Sequence, residues 1–418
     1  MYYVNMSSKV IYNLHVINNL NVCNYFTDND TAVSNAFKLV KKSWLVNGSK
    51  YDVVKYKKGH IKNDTDSVKS SGLFRSVVLR DGNICCFSPP KTLGMDEYML
   101  KHDIMKSEIQ EYIEGTMVNL FYDPSATNGE GDWEISTRSA VGANVGFTSG
   151  KNEKAATFRY MFLDTCNDIG LEFDNLPKEL CYSFVMKHPE NCIVTASLEK
   201  KLYLVAAYKI NNDTGDITEV DRSKLEDLKK ASGEVFNIPE LYNNASYLEL
   251  QAKFAGNNTP YYVQGVMVRD PTTGMRSKIR NPNFEHVKKL RGNTAKLQFR
   301  YYQLRKMCAV DKYLKYFKQD TDAFAIFREQ LCRFTELLYN TYRNAYIYKN
   351  MERTEIPLYL QYHCRALHNR YLNGLRPNKE KMSFRVVSKY LDNLHPCQLL
   401  TMVNMRDKSE KRNHSRVP

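Results

Sequence analysis

The sequence predicts an α+β fold in which an antiparallel-sheet region is followed by an all-helical, basic C-terminal region. From Leu73 to about Lys278, short β-branched and aromatic runs (SVVL, ICCF, TMVNLFY, CIVTASL, LYLVAAYKI, YYVQGVMV) are separated by Gly, Pro, Asn and Asp, the pattern of short strands. After about Asn283 this texture gives way to helical periodicity with few β runs. Charge changes at nearly the same place. The 418 residues carry a net charge of +14, and from His286 onward 27 Lys and Arg stand against 11 Asp and Glu, so the last third holds +16. A basic surplus confined to one region marks a polyanion-binding surface, most often one for nucleic acid.

Residues 1–70 mix strand-like pieces, Lys9 to Ile17, with polar turns such as Thr27-Asp28-Asn29-Asp30, and read as an N-terminal extension leading into an exposed connection, Lys57 to Ser71. Residues 71–283 are expected to form the sheet domain, with helices interleaved at Ala155 to Ile169 and Arg222 to Ser232. In the first of these helices Phe158, Met161, Phe162 and Cys166 recur at helical spacing. Residues 284–405 are expected to be helical and basic: Phe327, Leu331, Phe334 and Leu338 fall on one stripe behind a helix start at Asp320, Thr321 and Asp322. The tail 406–418, RDKSEKRNHSRVP, reads as disordered.

A hydrophobic content of 43% and a charged content of 25% are those of a folded globular protein. The ten cysteines show no CxxC pair and no Cys/His metal spacing, and no charged start precedes an apolar core at the N-terminus. Reduced thiols and an intracellular location are therefore expected. No apolar run nears the roughly 18 to 20 residues needed to cross a bilayer, so no membrane partner is expected.

No Walker loop, GxSxG elbow, HExxH or GxGxxG is present, which removes support for most common enzyme classes. What remains is an ordered series of short strands with polar ends: Arg75, Pro90-Lys91, Glu114-Gly115-Thr116, Thr137-Arg138-Ser139, His188-Pro189-Glu190-Asn191, Gln264-Gly265 and Lys278-Ile279-Arg280. Each is weak alone, since a glycine after an acid in a strand is ordinarily a bulge or a turn. Their order and spacing are the informative part.

The series resembles the bacteriophage-type ATP-dependent RNA ligases, in which a nucleotidyltransferase domain precedes a helical RNA-recognition domain. Phe74-Arg75-Ser76 resembles their strand ahead of the active site, and Pro90-Lys91 the approach to the nucleophile. Glu114-Gly115-Thr116 resembles the Asp-Gly-Ser of the nucleophile motif Lys-x-Asp-Gly-Ser, and Thr137-Arg138-Ser139 the turn after it. Phe184, Pro189, Asn191, Ile193 and Val194 resemble the family's Phe-Glu-x-x-x-Pro-x-Asn-x-Ile-Val. Gln264 to Val268 resembles Glu-Gly-Val-Val-Val, and Lys278-Ile279-Arg280 the closing Lys-x-Lys. The resemblance spans about Leu73 to Arg280 and implies a ligase-like nucleotidyltransferase fold, of the degenerate kind found in large DNA viruses.

Three departures bear on chemistry. The family's lysine attacks the α-phosphate of ATP to give a lysyl-AMP, and Tyr112 stands at its place; a tyrosine is a poor nucleophile near neutral pH and forms no phosphoramidate. Val185 and Gln264 replace two carboxylates that the family uses for a divalent metal or the ribose, and neither supplies a hard anionic oxygen. The positions that bind rather than react are kept: Arg75, Glu114, Gly115, Arg138, Lys278 and Arg280 are the candidate nucleotide or phosphate contacts. Their bland alternative is pairing among themselves at the surface.

The reading that follows is a catalytically degenerate ligase-like protein that acts as an RNA-binding or assembly protein, with RNA held by the basic helical domain. A second reading keeps an ATP- and Mg-dependent ligase or RNA-end-modifying enzyme with a displaced nucleophile, Lys91, Lys101 or Lys106, and metal ligands among Asp123, Asp132 and Glu190. A third makes the chain a virion or scaffold component bound to a protein partner.

Overall fold

The computed structural model describes residues 9–28, 31–146, 156–294 and 296–414, with side chains described to Met405. The class is α+β as the sequence predicts: antiparallel sheets carry the first part of the chain and helices the last. Two compact units are present, residues 1–288 and 289–418. The sequence put the change of texture at 283/284; the division falls after Lys288, inside the helix Pro282–Arg291.

The first unit is organised around a seven-stranded antiparallel sheet. Its order runs Ile11–Asn13, Asp216–Glu219, Lys201–Asn211, Leu180–Lys187, Thr116–Asp123, Asp132–Thr137 and Ala140–Val141. Alternate residues of a strand face opposite sides, and here both sides are covered. Val118 and Leu120 of one central strand, with Tyr182 and Phe184 of the next, pack against Met161 and Phe162 of the helix Phe158–Ile169. Phe121, Cys181, Ala206 and Tyr208 point the other way, onto a four-stranded sheet made of Leu39–Val46, Ser49–Tyr56, Val77–Arg80 and Asn83–Phe87. That double burial explains why TMVNLFY is nearly continuous in apolar residues instead of alternating.

The sequence set residues 1–70 apart as an extension. Instead, Val53 pairs with Val78 in one ladder and Tyr12 with Ile217 in another, so these early strands complete both sheets. Buried strand edges need hydrogen-bond partners, and the N-terminal segments supply them.

A second four-stranded sheet, ordered Leu241–Tyr242, Glu108–Glu111, Gly265–Arg269 and Arg276–Arg280, packs Ile109, Val266, Val268 and Ile279 against Leu250 and Phe254 of the helix Tyr247–Ala255. That helix starts in a capping box, with the Ser246 hydroxyl accepting from the Glu249 N–H and the Glu249 carboxylate accepting from Ser246. Helix Phe158–Ile169 is capped by Thr157 and ended by Gly170 in the left-handed conformation, within the expected Ala155 to Ile169 except that Ala155 lies outside the described residues. Helix Arg222–Ala231 also stands where it was expected.

The run CIVTASL does not form a strand, and Cys192 to Leu198 is a loop. The strand beside it is Leu180–Lys187, whose sequence reads LCYSFVMK. The reason for the loop is a competing acceptor, described below.

In the second unit Leu331, Phe334 and Leu338 of the helix Thr321–Tyr342 are buried and Phe327 is half-buried, as the stripe predicts. Helix Pro396–His414 carries the chain past Arg406, so the segment read as a disordered tail is helical to His414. Lys, Arg and Glu are good helix formers, and here they continue an existing helix rather than nucleating a new one. Residues 415–418 lie outside the described residues. Among the described residues no helix is long and apolar enough to cross a membrane.

Candidate phosphate-binding site

The fold brings three of the scattered motifs, Glu114-Gly115, His188 to Asn191 and Gln264-Gly265, to one cleft in the first unit. Strand Glu108–Glu111 ends at Tyr112, and Glu114-Gly115 turns the chain into Thr116–Asp123. Gly115 has φ 155, and a Cβ there would lie 2.4 Å from the Met186 carbonyl oxygen, so only glycine lets this turn meet the neighbouring strand. A cleft of about 370 Å³ opens over the turn, lined by Glu111, Tyr112, Glu114, Lys187, His188, Asn191, Tyr242, Phe254, Tyr262 and Gln264 among others. That volume falls within the range of small-molecule sites.

Tyr112 carries the central arrangement. Lys278, from the edge strand Arg276–Arg280, donates to the Tyr112 hydroxyl at 2.9 Å, and its amine lies 4.4 Å from the ring centroid. Withdrawal from water, then Arg75, Arg280, Arg276 and Lys288, push the Lys278 amine well below the ordinary lysine value. Burial pushes the Tyr112 hydroxyl up, against the pull of Arg280 and Arg75. Burial, then Arg276, also pushes Arg75 down, although a guanidinium stays charged. Neither Lys278 nor Arg75 lines the cleft itself; both are half-buried, Lys278 meets it through Tyr112, and Arg75 acts on Tyr112 and Lys278 through its charge.

Of the nearby cations, Arg280 pairs with Glu285 at 3.3 Å, and Arg276 donates to the Pro90 carbonyl at 2.7 Å. Arg138 donates through Nε to the Arg75 carbonyl at 3.4 Å and lies over the Tyr56 ring at 4.9 Å. Among the described residues, the Lys278 and Arg75 side chains have no carboxylate within ion-pair distance. Two like charges held together without an anion lower each other's proton affinity, and an incoming phosphate relieves both.

Glu114 is committed to structure. Its Oε1 accepts from the backbone N–H groups of Val194 at 2.6 Å and Thr195 at 3.0 Å. These bonds hold CIVTASL as the cleft wall and remove its donors from strand pairing. Glu114→Ala is expected to cost about 2 kcal/mol, since both bonds go to a charged acceptor. Glu114→Gln should recover part of that loss. Chemical denaturation reads the loss, and faster proteolytic cutting within residues 191–200 locates it.

His188, buried at the cleft wall, accepts through Nδ1 from the Glu190 N–H at 3.1 Å and so donates through Nε2 to Asp164 at 2.9 Å. Gln264 presents a buried Oε1 with no hydrogen-bond partner among the described residues. A buried acceptor of this kind is ordinarily satisfied by ordered water, and a hydroxyl entering the cleft would meet the same need. Val185, which is 8% exposed, packs beside Gly115.

The lysines expected as displaced nucleophiles are not brought to this cleft. Lys91 bonds Asn63, Lys101 pairs with Glu97 at 3.0 Å, and Lys106 faces Asp103 at 3.8 Å with 85% of its side chain exposed. The expected metal ligands do not gather at the cleft either, although Asp123 and Asp132 face each other across their ladder. Asp123 ends its strand bound to Tyr51 at 2.6 Å and to Arg80, Asp132 begins the next strand, and only Glu190 neighbours the cleft. Among the described residues no cluster of His, Cys, Asp and Glu is arranged to hold a metal, so the donor set here does not fit a divalent metal, whereas the cations fit a phosphate. Lys187, Tyr242, Phe254 and Tyr262 line the cleft without having been singled out. Lys187 directly precedes the quoted His188-Pro189, and Tyr262 stands two places before Gln264, so adjacency to the motifs was the available signal.

No protein-family model and no curated protein matches the chain. Solved structures similar to it include a provisionally assigned ATP-dependent DNA ligase from Aquifex aeolicus, at 12% identity and a TM-score of 0.37, with 74% of each chain covered. A mutant RNA ligase of Naegleria gruberi with ATP and Mn is similar at 10% identity and a TM-score of 0.34, over 67% of this chain and 87% of that one. Another mutant of that ligase, with AMP and Mn, gives 11% identity and a TM-score of 0.30 over 43% of this chain, which spans about half (51%) of that one. At TM-scores below 0.5 these likenesses leave the site to be read from its own geometry.

Proposed function

We propose that the chain is a ligase-like protein that has given up self-adenylylation, keeps a phosphate-binding cleft, and works by binding RNA, with the basic helical unit supplying most of the affinity. The observation that carries this reading is the Lys278 amine on the Tyr112 hydroxyl, within the electrostatic reach of Arg75: cations arranged to hold an anion around a side chain that, at the place where the resemblance would put the nucleophile, does not attack one. The anion's source is a nucleoside triphosphate or the terminal phosphate of an RNA. Both present the same chemistry to Lys278 and Arg75, and both would offer a hydroxyl to Gln264.

The intact mass of the protein after incubation with ATP or GTP, in Mg²⁺ or Mn²⁺, tests the loss of chemistry. No adduct is expected. Calorimetry with ATP, and separately with 5′-phosphorylated and dephosphorylated RNA, distinguishes the two anion sources. RNA affinity should fall steeply with salt as counterions are released, and salt-independent binding would sink the reading.

The enzymatic alternative has one specific observation in its favour. An amine pushed toward its neutral form by burial and like charges is a better nucleophile than a free one, and here that amine is Lys278, not Lys91, Lys101 or Lys106. A mass increase of one nucleoside monophosphate, mapped to Lys278, would establish it.

A further inference from the structure

The helical unit holds an aromatic column that core packing does not explain. Tyr342 stacks on Tyr346 with centroids 5.1 Å apart and planes 11° apart, Tyr346 meets His368 at 4.4 Å, and His368 stacks on Tyr371 at 6.2 Å and 25°. Tyr342 is buried and anchors the inner end through His368 Nδ1, 3.3 Å from its hydroxyl; Tyr346, His368 and Tyr371 are half-buried. Among the described residues no further ring stacks on Tyr371, so the column ends there with an aromatic face to spare.

Two irregular turns build the column. Helix Thr321–Tyr342 runs into a widened π turn at Arg343–Tyr348, and helix Leu358–Arg370 into another at Tyr371–Leu375. Such turns are rare, have poorer hydrogen-bond geometry than an α-helix, and cluster at functional sites. None of Tyr371–Leu375 is buried, so no core contact accounts for the second one.

Charge identifies what would use the surface. Residues 289–418 carry 26 Lys and Arg against 11 Asp and Glu, a surplus of +15. Arg353 lies over the Tyr346 ring at 4.8 Å, and Arg370 and Arg376, which precede and follow Tyr371 in the chain, are exposed. Among the described residues these three arginines form no ion pair with an acid, whereas Arg305 and Arg333 of the same unit do. A half-buried ring at the end of the column, with arginines that pair with no acid near it in the chain, matches the two needs of a single strand: a plane for an unpaired base and cations for its backbone.

We infer that the helical unit stacks unpaired bases of single-stranded RNA on Tyr371, at the open end of the Tyr342–Tyr346–His368–Tyr371 column. The inference rests on the RNA-binding reading above and assigns the residue that reads strandedness. Duplex RNA keeps its bases stacked internally and offers the column nothing, so it engages only the cations.

The test uses the full chain and measures Kd for a short oligouridine and for a duplex RNA of equal length, over a series of salt concentrations. Tyr371→Ala should weaken oligouridine binding about ten-fold, on the scale of one lost base–aromatic stack, with the salt slope unchanged because no phosphate contact is removed. Tyr371→Phe should bind as the wild type does, and duplex affinity should be unchanged in both. Should Tyr371→Ala fail to fold, Tyr371→Leu keeps apolar bulk without a ring face. Absence of RNA binding by the wild type at low salt would overturn the RNA-binding reading itself. Wild-type binding with no loss in Tyr371→Ala, or an equal loss on single strand and duplex, would overturn this inference alone.

Discussion

Lys278→Met is expected to raise stability and weaken phosphate binding together. In the folded chain the Lys278 amine is withdrawn from water among Arg75, Arg280, Arg276 and Lys288, so it gives up its proton at lower pH than in the unfolded chain. Between the lowered folded value and the ordinary value near 10.4, the unfolded state binds more protons, and stability rises with pH. Below the folded value the penalty is felt in full. Methionine keeps much of the side chain's bulk and removes the charge. The variant should therefore melt higher than the wild type at neutral and lower pH, with the gain fading as pH approaches about 10.4. Thermal melts across that range check it. An equal gain at every pH would mean that packing, not charge, was responsible.

The same substitution should cost binding. A phosphate held by Lys278 restores the amine's preference for its proton, so affinity for a triphosphate or a 5′-phosphorylated RNA end should drop as pH rises through the lowered value. Removing the charge should weaken binding roughly 30-fold or more and flatten the pH profile, on the scale found for truncating one member of a close charge pair. Arg75→Met should weaken binding in the same direction and move the pH profile upward, because the Lys278 amine loses one of the charges that push it down. Unchanged affinity in both variants would remove the phosphate site.

The second large effect is structural. In Gly265→Ala the new Cβ would lie 2.1 Å from the Ile279 carbonyl oxygen, at a backbone φ of 123 that L residues rarely adopt. The obstructing atom belongs to the paired strand, where Gly265 faces Arg280, so the clash cannot be relieved by rotating a side chain. Overpacking and backbone strain of this kind together cost about 3 to 5 kcal/mol. For a unit of this size that is a fall in Tm of roughly 10 °C. Opening the Gly265–Arg280 pairing would also displace Gln264 and Lys278, so phosphate binding should fail before the unit unfolds. A variant as stable as the wild type would show that the strand edge is not held closed.

Much of this was legible in the sequence, for local reasons. Short β-branched and aromatic runs between turn residues marked most strands, TMVNLFY among them. The stripe through Leu331, Phe334 and Leu338 and the charge break near His286 separated a helical, basic region from the sheets. CIVTASL misled because its composition is that of a strand, while the Glu114 carboxylate, 80 residues earlier in the chain, claims the N–H groups of Val194 and Thr195.

What the sequence determined by itself is what neighbouring residues decide together: element type, the change of texture and the basic third. What only the tertiary structure decided is which distant groups share a dielectric. Lys278 meets the Tyr112 hydroxyl across a sequence separation of 166, and the two lie in non-adjacent elements of one sheet region. Lys91, Lys101 and Lys106, nearer in sequence, are held elsewhere by Asn63, Glu97 and Asp103. Proton affinity depends on the charges and solvent that surround a group, and those are set by the folded chain, not by spacing along it.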